Sequence, residues 1–125
     1  MNIKSIKLIY WISTVLLALF ILPGIFFLNT PMALEGTQHL GLPYWFHLEA
    51  GIGTFIGGLI LLLPKLPPRL KEWGYVALGI VYLSALIAHL CIDGVIAMSF
   101  TPLIAFAILL ISYLCYHKLL KHANP

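Results

Sequence analysis

The chain has 125 residues, of which 62% are hydrophobic and only 9% charged, with a formal net charge of +3 and a mean hydropathy of +1.03. A soluble domain usually carries about 25% charged residues. This chain has too little polar surface to cover a water-soluble globule, and one domain in lipid is the form that suits it.

Four apolar runs of spanning length are visible, over residues 6–28, 44–63, 73–92 and 100–116. A hydrocarbon core of about 30 Å needs roughly 20 helical residues. The runs are continuously apolar rather than alternating, which argues against a membrane barrel. The expected fold is therefore all-α, a transmembrane four-helix bundle.

The first run begins after Lys4 and Lys7 and contains Pro23, which predicts a tilt or a kink. It is longer than the core of a signal peptide and no A-x-A-like site follows it, so it reads as a retained span. The connection over residues 29–43 is the longest. Thr30-Pro31 can act as N-cap and first helical residue, and Gly41 and Pro43 can end the segment. A short interfacial helix is expected around residues 32–39. The connection over 64–72 holds Pro64, Pro67 and Pro68. These should stop the second span and restart the third, with Lys71 and Trp73 as interfacial anchors. The connection over 93–99 is brief. There is no clear internal repeat, so the inverted halves of a transporter are not evident.

All seven Lys and Arg residues fall in three places: Lys4 and Lys7, then Lys65, Arg69 and Lys71, then Lys118 and Lys121. In a four-span hairpin these places share one side. Positive charge marks the cytoplasmic side, so both termini are expected there, in a multi-pass protein of the cell inner membrane. The net charge is thus a topology signal, and no nucleic-acid surface is expected. Cys91 and Cys115 would lie near opposite faces, too far apart to pair within one chain, and read as small packing residues.

Glu35, His39, His47, Glu49, His89 and Asp93 all map to the opposite half. An ionisable residue inside a span is a functional hypothesis by default. Glu49 would lie roughly 8 Å and His89 roughly 5 Å below the outer boundary, so a Glu49–His89 hydrogen bond is expected. Glu49 reads as sharing a face with Phe46, Gly53 and Gly57, and Gly53 and Gly57 form a GxxxG pair suited to helix packing. On the third span Tyr75, Leu78, Tyr82, Ala85, His89 and Asp93 form one inward stripe. The candidates for a ligand or proton site are Glu49, His89, Tyr82, His39, His47 and Asp93. The competing reading is structural: a Glu and a His near helix ends can simply tie helices together, while His39 and His47 lie closer to the interface, where a surface role suits them. The aromatics Tyr44, Trp45, Phe46 and Phe100 read as an interfacial belt. No HxxxH or ExxH spacing supports a metal site, and no G-x-S-x-G supports a hydrolase.

Several segments occur in a recognisable order. His39-Leu40-Gly41-Leu42-Pro43 precedes the second span. Gly57 and Leu61-Leu62-Leu63-Pro64 close it. Leu70-Lys71-Glu72-Trp73-Gly74-Tyr75 opens the third, and Ala88-His89-Leu90 lies near its end. Together, over roughly residues 10 to 115, they resemble the DoxX-like family of small four-helix bacterial membrane proteins. The resemblance implies a multi-pass membrane protein. Some relatives are subunits of quinone-linked oxidoreductases and some belong to oxidative-stress complexes. His39 and His89 match the family's recurring histidines. Many relatives carry a Lys near the position of Thr54, and this chain does not.

Two functions of different class follow. The first is an accessory or anchoring subunit of a quinone-linked redox system, not an enzyme by itself. It would bind a lipophilic ligand at the outer leaflet, with quinone as the candidate, no covalently bound cofactor, and a redox partner protein or a homo-oligomer around it. The second is a small proton-coupled transporter or lipophilic-ligand carrier using Glu49. A purely structural membrane subunit is the third reading.

Overall fold

The computed structural model describes residues 2–123. Helix α1 runs over Ile3–Ile21, opened by Asn2, whose side chain accepts from the Ser5 amide. At Pro23 the helix tightens into a 3-10 segment, Leu22–Phe27. Proline has no N–H to give to the preceding turn, so the expected disturbance takes this form. Helix α2, Pro31–His39, starts with the Thr30 hydroxyl accepting from Ala33 and with proline in its first turn. Gly41, at φ 78°, ends that segment in the left-handed region. The long connection therefore does contain a short helix.

Helix α3 covers Tyr44–Leu62, α4 covers Pro68–Asp93, and α5 covers Thr101–Ala123 behind a 3-10 turn over Ala97–Phe100. Helix α4 begins five residues before the expected span, because Pro68 sits in its first turn, where a missing N–H costs nothing. Gly94, at φ 76°, ends it. Among the described residues there is no strand.

The four long helices close a ring. Helix α1 packs on α5 and α3, α4 packs on α3 and α5, and α2 lies against α3. Up-and-down order brings the start of α1, the α3–α4 turn and the end of α5 together at one end, here called the basic end. The opposite end carries α2 and is called the histidine end.

Inside the ring, Leu17, Leu61, Leu78 and Leu109 are almost fully buried. Close approach is set by glycine. A Cβ on Gly57 would lie 3.0 Å from Leu78, one on Gly58 would lie 3.0 Å from Ile21, and one on Gly74 would lie 2.9 Å from Ile60. Outside the ring, Leu19, Ile80, Ile87 and Ile104 are each at least 60% exposed. Such a surface is stable only in hydrocarbon, and four helices are long and apolar enough to cross a membrane.

Candidate functional site

His47 stands on the first turn of α3, facing inward, and is 8% exposed. Its Nε2 lies 2.6 Å from the Leu28 carbonyl and its Nδ1 lies 2.6 Å from the Thr37 hydroxyl. A carbonyl only accepts, so Nε2 carries the hydrogen and, in the neutral ring, the Thr37 hydroxyl donates to Nδ1. One imidazole thus ties α2 and Leu28, the residue that follows the 3-10 segment, to α3. This differs from the surface role that its nearness to the interface suggested. The missed signal is spacing: Thr37, ten residues earlier, stands on α2, which packs back against α3.

A cavity of about 290 Å³ opens beside this junction. Its wall is largely apolar, with Ile25, Leu28 and Phe46, and three polar side chains reach it: Thr37, His47 and Thr54. The Thr54 hydroxyl donates to the Ala50 carbonyl at 2.6 Å, leaving its own lone pairs turned outward from that bond.

Asp93 forms a second junction at the histidine end. His39 Nε2 from α2 bonds one carboxylate oxygen, and His89 Nδ1, one turn back on α4, bonds the other at 3.1 Å. His39 and His89 therefore meet on one carboxylate. At the basic end Glu72 plays the same part. The Tyr113 hydroxyl donates to one of its oxygens at 2.6 Å, and His117 Nε2 bonds the other at 2.8 Å. Deeper in, the buried Ser112 hydroxyl lies 2.6 Å from that of Thr14 and 2.7 Å from that of Tyr75, joining α1, α4 and α5.

Lys71 is not an interfacial anchor. It is 1% exposed, and its Nζ donates to the Leu61 carbonyl at 2.7 Å, satisfying a carbonyl that the last turn of α3 leaves open. Trp73 does face outward. Tyr82 is buried as its stripe required, but its hydroxyl has no partner within the described chain.

The expected Glu49–His89 pair does not form. His89 is taken by Asp93, and Glu49 is exposed on the outward side of α3. The cause is helical drift. Each four-residue step advances about 40°, so Glu49 and Gly57 stand about 80° apart. Gly57 is buried against Leu78, whereas Gly53 is exposed with nothing within 4 Å of a built Cβ. The two glycines, about 40° apart, straddle the edge of the ring: Gly57 packs inside it and Gly53 does not. Among the described residues no group of three His, Cys, Asp or Glu side chains is placed to hold a metal.

The profile of the DoxX-like family matches residues 11–112, which takes in most of α1 through α5. The chain belongs to the DoxX-like family. With its four apolar helices, this DoxX-like chain is a multi-pass membrane protein. No curated protein and no solved structure matches it.

Proposed function

We propose that this DoxX-like chain is an accessory subunit of a quinone-linked redox system and holds a lipophilic head group in the cavity beside His47. The observation that carries this reading is the cavity: about 290 Å³, apolar-walled, with Thr37, His47 and Thr54 converging on it. That volume stands at the lower end of small-molecule sites and suits one ring rather than a whole isoprenoid molecule. A separate apolar groove of about 280 Å³, between α3 and the end of α1 with its 3-10 segment, beside Leu19, Phe26 and Phe55, offers a wall for a tail.

In this reading the termini and the α3–α4 turn face the cytoplasm, as the grouping of basic side chains favours. The cavity then opens in the outer leaflet of the inner membrane and α2 lies at the interface. Both ring nitrogens of His47 are held by the protein. Its role is to fix the wall, while the threonine hydroxyl oxygens orient the head group. Redox chemistry comes from the partner protein.

The test is photolabelling by an azido-quinone in nanodiscs. Labelling should map to α2, α3 or the 3-10 segment and be competed by unlabelled quinone. Ala50→Phe, which fills the cavity, should abolish it while leaving the melting temperature within a few degrees of wild type. Unsaturable labelling, or labelling unchanged in Ala50→Phe, would overturn the reading.

A further inference from the structure

The chain's four acidic side chains divide by surroundings. Glu72 and Asp93, near helix ends, each hold two hydrogen-bond donors. Glu35 is exposed on α2, outside the spans. Glu49 sits within a span, on its outward face, and among the described residues it has no hydrogen-bond or ionic partner. Helix α3 has 19 residues and rises about 28 Å, which leaves no slack against a core of about 30 Å. Glu49, five residues from the start of α3, is therefore about 8 Å inside the hydrocarbon. An unpaired carboxylate there is costly.

The surroundings of Glu49 are shaped for contact. Trp45, Ile52 and Ile56 are exposed on the same face, and Gly53 leaves a notch one turn below the carboxylate. A backbone can approach such a notch closely. A second copy lying parallel in the membrane offers no cation at this depth. All seven Lys and Arg residues lie toward the basic end. Of the histidines at the other end, His47 has both ring nitrogens bonded, and His39 and His89 are engaged by Asp93.

We propose that the outward face of α3, centred on Glu49 and notched at Gly53, is the docking surface for a transmembrane helix of a different protein that presents an arginine or lysine at the depth of Glu49. The basic side chain pairs with the carboxylate away from water, and the helix backbone rests on Gly53. This surface lies apart from the cavity and does not depend on what fills it.

The test uses the full chain in liposomes, labelled for energy transfer, with a leucine–alanine transmembrane peptide carrying one arginine about 8 Å below its outer end. The arginine peptide should bind at least tenfold more tightly than the same peptide with leucine there. Glu49→Gln should remove that difference, and Gly53→Leu should weaken binding of the arginine peptide several-fold. Glu49→Lys should transfer the preference to a glutamate peptide. Equal binding of the arginine and leucine peptides would overturn the proposal, as would no binding of either. Self-association of the chain that is lost in Glu49→Gln would assign the face to a second copy and overturn it equally.

Discussion

His47 and Glu49 stand two residues apart on α3 and have opposite surroundings. His47 faces the ring, is buried, and bonds through both nitrogens. Glu49 faces outward and bonds nothing among the described residues. A helix in lipid has two faces that both read as apolar, so hydrophobicity does not decide which is which. What decides is where a partner exists. His47 has one because α2 folds back against α3, and Glu49 has none among the described residues because it stands on the exposed side of the helix. The inward face is a stability feature, and the outward face is available for assembly.

The largest expected contrast comes from removing each polar group. His47→Ala strands the Leu28 carbonyl, releases α2 and leaves a hole, and should destabilise the chain by about 2–4 kcal/mol. Glu49→Gln removes no contact within the described chain and relieves an unpaired carboxylate, so it should leave stability unchanged or raise it. Unfolding in mixed detergent micelles measures both. Equal losses would show that the two faces are not distinct in the way described.

The next effect belongs to the basic end. Lys71→Met should cost about 1–3 kcal/mol, because the Leu61 carbonyl loses its donor in a buried place. The exposed Arg69, two residues away, is the control, and Arg69→Ala should be within about 0.5 kcal/mol of wild type. A neutral Lys71→Met would mean that water or another donor replaces the amine.

Much of the architecture was legible because the membrane imposes it. The four spans, the α2 helix begun by Thr30-Pro31, the disturbance at Pro23 and the first half of the α4 stripe, Tyr75, Leu78 and Tyr82, follow from spacing and backbone chemistry, while Ala85, His89 and Asp93 of that stripe are only half-buried. The partners of the polar groups were less legible. The Glu49–His89 pairing assumed that equal depth on adjacent helices brings side chains together, but rotation about the helix axis matters as much as depth. Asp93 was the nearer partner for His89, at one helical turn on the same helix. The roles of Lys71 and Glu72 were also hidden, because both depend on which way two consecutive residues point at the entrance to α4. Ser112, Thr14 and Tyr75 carried no signal as a group, since each is an ordinary span residue until three helices meet.

A smaller effect separates the two glycines of the GxxxG pair. Gly57→Ala sets a Cβ 3.0 Å from Leu78, so Leu78 must shift. The net cost should be about 1 kcal/mol, after some offset from alanine's better helix propensity. Gly53→Ala meets nothing within 4 Å and should be neutral or stabilising by up to about 1 kcal/mol. Opposite signs in the same unfolding assay would confirm that one glycine packs inside the ring and the other lies outside it. Matching signs would give both glycines the same surroundings.

The smallest effect is an expected absence of coupling. Glu49 and His89 share no contact, so the effects of Glu49→Gln and His89→Ala should add to within about 0.3–0.5 kcal/mol. His39→Ala and Asp93→Asn provide the positive control, because those side chains bond directly. That cycle should show a coupling of at least about 0.5 kcal/mol even though His39 is exposed and screened by water. The pair of cycles distinguishes two meanings of proximity in a bundle. Residues at one depth on neighbouring helices interact only if their helix faces also meet, and Asp93 meets both histidines while Glu49 meets neither. A coupling between Glu49 and His89 larger than that between His39 and Asp93 would require α3 to be turned by nearly a quarter of a revolution. It would then bring Glu49 into the ring and remove the outward surface on which the assembly proposal stands.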